Sequence, residues 1–279
     1  MTSALSRLLR RGGGAAENSP TTAPVVPGAE PYYAGSGPLG VLLSHGFSGS
    51  PHSMRPWGEH LVRDGFRVAV PRLPGHGTSW QEMNRTRWTD WYACLDRAFT
   101  DLQAECEQVF VCGLSMGGGL AIRIAEQHGA AVAGLAVVNP SVNSRDPRMK
   151  ALPVLRHILP SLAGIKGDIA LPDAVEGGYD RSALHAAWSV RHLWRDIQAH
   201  LDQVDQPLLI FKSVRDKVVD PSSLALIKKG VRSSDLTVVS LERSYHVATL
   251  DYDAELIFTT SSAFFHRLVN KERGRVTSQ

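Results

Sequence analysis

The 279-residue sequence is poor in cysteine, in aromatic residues, in net charge and in long apolar runs. Its three cysteines, Cys94, Cys106 and Cys112, are odd in number and form no CxxC pair. A disulfide framework and a cysteine zinc site are thereby excluded, and a reducing compartment is expected. Cys112 ends the apolar run Val109–Cys112 and reads as a buried, inert thiol. Lys and Arg number 30 against 27 Asp and Glu, a net charge of +3, so the basic stripe that nucleic acid requires is missing. No run approaches the roughly 18–20 apolar residues that cross a bilayer. There is no HExxH, no carboxylate ladder and no GxGxxG behind a strand, and Gly117-Gly118-Gly119 lacks a following Gly-Lys-Ser/Thr. Neither a metal nor another cofactor is expected.

What is present begins with 25 glycines and 16 prolines. Gly12–Gly14, Pro20, Pro24, Pro27 and Pro31 fall in a head, residues 1–31, that reads as a disordered tail. Its Leu5, Leu8 and Leu9, interrupted by Arg7, Arg10 and Arg11, are too few for a secretory core. With the unpaired cysteines this predicts a cytoplasmic location.

From residue 38 the pattern alternates. Leu39–Ser44, Phe66–Val70, Val109–Cys112, Ala133–Asn139, Leu208–Lys212 and Leu236–Leu241 are strand-sized and rich in Val, Ile and Leu, as strands covered on both faces are. Between them Trp91, Leu95, Ala98, Phe99 and Leu102 recur at helical spacing behind Thr89, a possible N-cap. Ser115–Gly129 and Tyr252–Val269 read as further helices. Alternation of this kind predicts an α/β fold with a mostly parallel central sheet flanked by helices. The core is assigned to residues 32–139 and 205–270, with a short tail at 271–279. Residues 140–204 hold proline-broken helical pieces and no strand, and read as a helical cap insertion.

The segment with the strongest chemistry is Gly113-Leu114-Ser115-Met116-Gly117, lying where a strand run gives way to a helical pattern. That turn holds a serine in strained geometry with its hydroxyl exposed. A serine needs a base, and the order on such a sheet is serine, acid, histidine. Asp216 directly follows Leu208–Lys212 and is the expected acid. Asp220 competes but reads better as a helix cap before Pro221, and Asp205 lies at the wrong strand end. His246 follows Leu236–Leu241 and is the expected base, whereas His266 falls within the closing helix. His45 and His76 read as scaffold residues that orient backbone. Two amides should hold the oxyanion, that of Met116 and that of Phe47 in the loop Ser44–Gly49.

These residues are similar to those of the α/β-hydrolases, and most closely resemble the bacterial monoacylglycerol lipases and their carboxylesterase relatives. The resemblance is carried by His45-Gly46-Phe47-Ser48-Gly49, Pro51–Pro56, Pro71–Thr78, Gly113–Gly118 and Ser244–Tyr252, and covers residues 38–267. It implies the α/β-hydrolase fold, a Ser115–Asp216–His246 triad and oxyanion amides from Phe47 and Met116. It also implies that Glu176 in the cap reads glycerol hydroxyls and that Ile165 meets the acyl chain. The expected activity is hydrolysis of a monoacylglycerol or another single-chain ester through an acyl-enzyme. A generalist carboxylesterase, an acyltransferase and a non-catalytic binding protein are the alternatives. The partners expected are a small lipid or ester substrate, no nucleic acid, and a membrane surface met transiently through the cap or the tail.

Overall fold

The structure, a computed structural model, describes residues 23–164 and 167–276. In chain order its strands are β1 (Tyr32–Ala34), β2 (Leu39–Ser44), β3 (Arg67–Val70), β4 (Gln108–Leu114), β5 (Val132–Val138), β6 (Ser161–Ala163), β7 (Arg181–Ala183), β8 (Leu208–Ser213) and β9 (Leu236–Leu241). The helices are α1 (Arg55–Arg63), α2 (Trp80–Met83), α3 (Trp88–Glu105), α4 (Met116–His128), α5 (Arg148–Ile158), α6 (Leu184–His200), α7 (Ser222–Gly230) and α8 (Ala254–Val276). Seven strands make one sheet in the order β1-β3-β2-β4-β5-β8-β9, parallel except for β1.

Side-chain alternation divides the interior between the two sheet faces. Val109 and Val111 of β4 join Leu135 and Val137 of β5 in a core with Phe99, Leu120 and Leu193, from α3, α4 and α6. Phe110, Cys112, Ala136 and Val138 point the other way, toward Trp57, Leu61, Ile257 and Phe265 from α1 and α8. Each large apolar side chain buried this way contributes about 1.5–3 kcal/mol. The chain runs from β2 outward to β3, then returns across β2 to β4. This order reversal separates the loops after β2 and β4 and opens a crevice at the carboxyl ends of the strands.

The six long strands lie where the apolar runs predict them, while several local expectations are corrected. β1 was not expected: it is three residues long and pairs antiparallel at the sheet edge through Tyr33 and Ala69. The stretch 140–204 is not strandless, because β6 and β7 pair within it. Helix α3 is capped by Arg87 rather than Thr89, and the Asp90 carboxylate accepts the Arg87 amide at 2.8 Å. Part of the segment expected to be a disordered tail is packed on the core instead: Val26 donates to the Gly77 carbonyl at 2.9 Å and Ala29 is buried. Residues 1–22 lie outside the described chain. The expected tail from 271 is instead the last part of α8 as far as Val276.

Candidate functional site

Ser115 links β4 to α4 with φ 58° and ψ −120°, a left-handed backbone for a residue with a side chain. Such strain costs on the order of 1–3 kcal/mol and persists only where neighbours enforce it. They do: the Ser115 amide donates to the Val138 carbonyl at 2.9 Å, and its own carbonyl accepts from Ser141 at 3.0 Å. The flanking glycines are sterically obligatory. A Cβ on Gly113 would lie 2.1 Å from the Gly117 carbonyl oxygen, and one on Gly117 2.2 Å from that of Ser44.

Asp216 follows β8, and its side chain has no exposed surface. Its Oδ1 lies 3.1 Å from His246 Nδ1 and accepts the Val218 and Val219 amides at 2.9 and 3.1 Å. Its Oδ2 accepts from Lys212 Nζ at 2.5 Å. Burial alone would raise the carboxyl's pKa. Hydrogen bonds and charge from His246 and Lys212 outweigh burial and hold it well below the usual carboxylate range. Asp216 is therefore an anion at neutral pH. Lys212 was missed in the sequence, although its spacing of four from Asp216 was there to be read.

Asn139 was missed as well, and it connects the parts. Fully buried and left-handed at φ 44°, it accepts the Ser213 amide at 2.8 Å. It also donates to Ser213 Oγ at 2.9 Å and to the His246 carbonyl at 2.8 Å. Its neighbour Val138 accepts the Ser115 amide, so one dipeptide fixes both the serine and the histidine backbones. No hydrogen bond joins Ser115 Oγ to His246 among the described residues, and such contacts often tighten only with substrate. Asp251 and Asp168 complete the support. The Asp251 carboxylate accepts the Tyr245, Ala170 and Leu171 amides, and that of Asp168 accepts the His246 amide at 3.3 Å.

The Met116 amide opens α4, where the helix dipole favours negative charge. Neither it nor the Phe47 amide has an acceptor among the described residues. Gly46 brings the Phe47 loop close, for a Cβ there would lie 3.3 Å from Ser115 Cβ. His45 is buried. Its Nε2 accepts the Leu73 amide at 3.2 Å, which leaves Nδ1–H to donate to the Gly46 carbonyl at 3.0 Å. Burial lowers the His45 pKa to about 4, so the ring is neutral. His76 lies beside it, buried and likewise lowered, with Nδ1 at the Pro74 carbonyl.

The Hydrolase_4 family, described as serine aminopeptidase S33, matches residues 39–253, which include every element named above from β2 to the His246 loop. The chain belongs to this family. A Hydrolase_4 chain of this kind is similar to the thermostable monoacylglycerol lipase of Bacillus sp. strain H-257, with 41% identity across 87% of this chain and 96% of that one. It is 23% identical to a carboxylesterase of Bacillus subtilis strain 168 over 86% of this chain and 97% of that one. The solved structure of a lipolytic enzyme from a metagenome, reported with the LipS and LipT pair, superposes with a TM-score of 0.85 at 39% identity, covering 88% of this chain and all of that one. The α/β-hydrolase fold and a serine hydrolase assignment follow from the family and the sheet together.

In this Hydrolase_4 member the segment before β7 folds over the loop after β2. His52 Nε2 lies 3.1 Å from the Val175 carbonyl. The Tyr179 hydroxyl donates to the Gly75 carbonyl at 2.8 Å and accepts the Thr78 amide at 2.9 Å. Glu176 is thereby brought beside Gly49, where an added Cβ would sit 3.0 Å from its Oε1. Burial raises the Glu176 pKa, and the nearby His246 opposes the rise. Ile165 lies outside the described residues. Among those described, Glu126, Asp196 and His200 gather ligand-type atoms. Arg123 Nε, 2.5 Å from Asp196 Oδ2, already supplies a cation there.

Proposed function

We propose that this serine hydrolase cleaves monoacylglycerols through an acyl-enzyme formed on Ser115. The observation that carries the reading is the buried Asp216–His246 pair at 3.1 Å, joined through Asn139 to a left-handed serine at a strand-to-helix elbow. His246 takes the Ser115 proton as the serine attacks the ester carbonyl. Asp216, held ionised by Lys212, fixes the imidazole with its proton on Nδ1 and steadies the imidazolium. The Phe47 and Met116 amides receive the oxyanion. His246 then protonates the departing glycerol and activates water for deacylation.

Glu176 reads the glycerol hydroxyls from above the Phe47 loop. Residues 140–204 act as the cap, with Ile165 on the acyl side. The free cysteines support a reducing compartment, and the reaction needs only water as co-substrate. Ser115→Ala is expected to abolish both ester turnover and phosphonate labelling without loss of fold; retained turnover would refute the nucleophile. Glu176→Gln is expected to raise KM for monoglycerides while leaving p-nitrophenyl esters unaffected. An unchanged preference would favour a general carboxylesterase, the activity named for the Bacillus subtilis relative.

A further inference from the structure

Helix α5 contains Pro153 in its interior. Proline has no N–H, so the Met149 carbonyl loses its helical donor. Arg191 Nη1 of α6 takes that place at 2.7 Å. This contact seats a run of cations against the start of α5, around a hollow of about 280 Å³ lined by Asn143, Arg145, Lys150, Arg191, Trp194 and Arg195. Asp146, the carboxylate at its rim, is held by Arg148 at 2.6 Å. Nearby Asp220 accepts the Arg145 and Ser222 amides. Lys150 and Arg195 have no ion-pair partner among the described residues, and Arg145 makes no ion pair although its charge reaches Asp220. The Trp194 indole N–H is buried without an acceptor. The field is felt next door: burial first, then Arg195, Arg191 and Arg156, lower the His192 pKa. The hollow is thus rimmed by more hydrogen-bond donors and cations than acceptors, and its volume is of head-group size rather than that of a whole lipid.

The same helix carries a second observation. Lys150, Val154 and Ile158 recur every four residues and share one face. Val154 and Ile158 are 67% and 70% exposed, and Leu159 and Leu162 continue the apolar surface beyond the helix. A pocket for a soluble anion gains nothing from exposed aliphatic side chains beside it. Cations bordering an aliphatic stripe match an interface where phosphates and acyl chains lie side by side.

We propose that this face of α5 and α6 docks on an anionic phospholipid surface, with a lipid phosphate in the Arg145–Lys150–Arg195 hollow and Val154 and Ile158 in the acyl boundary. The inference does not depend on the ester-hydrolase reading, because the test measures binding.

Full-length protein is sedimented with vesicles of phosphatidylcholine, alone or with about a third phosphatidylglycerol. It is expected to bind the anionic vesicles and to be released as salt rises. The double variant Lys150→Gln/Arg195→Gln is expected to bind on the order of 30-fold more weakly, about fivefold for each charge removed. Val154→Ser/Ile158→Ser is expected to bind vesicles more weakly while keeping any protection against heat that inorganic phosphate gives. Turnover of p-nitrophenyl butyrate is expected to stay unchanged in both. Equal binding to both vesicle types, or unchanged binding by both double variants, overturns the proposal. Protection by inorganic phosphate without vesicle binding also overturns it, in favour of a soluble phosphate ligand.

Discussion

Glu126 offers a quantitative test of how the helix behind the serine is held. It lies on α4 with no exposed side-chain surface, and neither carboxylate oxygen has a hydrogen-bond partner. Arg123 Nη1 approaches only to 3.7 Å. Burial pushes the carboxyl up to about 9 from its ordinary 4.5, with Arg123 opposing and Asp196 and Asp202 adding to the rise. Below pH 4.5 the folded and unfolded chains both carry the proton, and Glu126 exacts no penalty. Between 4.5 and about 9 only the unfolded chain releases it, so stability falls as pH rises. The slope is about 1.4 kcal/mol per pH unit, which accumulates to about 3 kcal/mol by neutrality. Glu126→Gln keeps the shape without the titration. Its stability should equal the parent's near the lower limit and exceed it by up to about 3 kcal/mol at neutral pH. Urea unfolding from about pH 5 to about pH 8.5 measures the difference directly. A difference that does not change with pH would refute the reasoning. So would a parent that gains on the variant as pH rises, because Arg123 would then be stabilising a buried carboxylate.

Three further outcomes can be checked separately. Asn139→Ala deletes the bonds to Ser213 and His246 and places alanine at φ 44°, so kcat should fall ten- to a hundredfold, about 1.4–2.8 kcal/mol, with little change in KM; a change confined to KM contradicts the positioning role. Tyr179→Phe removes the hydroxyl that bridges Gly75 and Thr78 and should destabilise the cover of the site by about 1–3 kcal/mol, read as faster hydrogen exchange around Val175–Tyr179 and a higher KM. Gly117→Ala drives a Cβ to 2.2 Å from the Ser44 carbonyl oxygen, and thermal melting should show loss of the cooperative fold or a marked fall in Tm.

The central strands β2, β4, β5 and β8 were legible because they are covered on both faces and each reads as a dense aliphatic run, while the half-exposed edge strand β9 was legible from its β-branched Val238 and Val239 between leucines. The same rule could not reveal β1, whose exposed Tyr33 lies at an edge, nor β6 and β7, which are three residues each. Ser115, Asp216 and His246 stood out because each lies in the turn or loop that follows a strand run and their order along the chain suits the chemistry. Asn139 did not stand out. Its value lies in partners 74 and 107 residues away, and nothing local distinguishes it from a turn asparagine before Pro140. Asp251 was likewise hidden, since two of the amides it accepts come from about 80 residues upstream. Thr89 failed as a cap because Asp90, one residue further on, could reach back to the Arg87 amide.

The Asn139–Ser213 contact also has an evolutionary consequence. β5 and β8 are parallel neighbours in the sheet, paired from Leu135–Leu208 to Val138–Phe211, so the intervening excursion leaves the sheet beside this clasp and re-enters it at Leu208, the far end of β8. Lengthening or shortening such an excursion changes its closure entropy only logarithmically. The excursion can therefore be rebuilt, residue by residue or wholesale, while the clasp keeps Ser115 and His246 in place. On the proposed function, selectivity and chemistry can then diverge at different rates, one written into a replaceable segment and the other into two hydrogen-bonded strand ends.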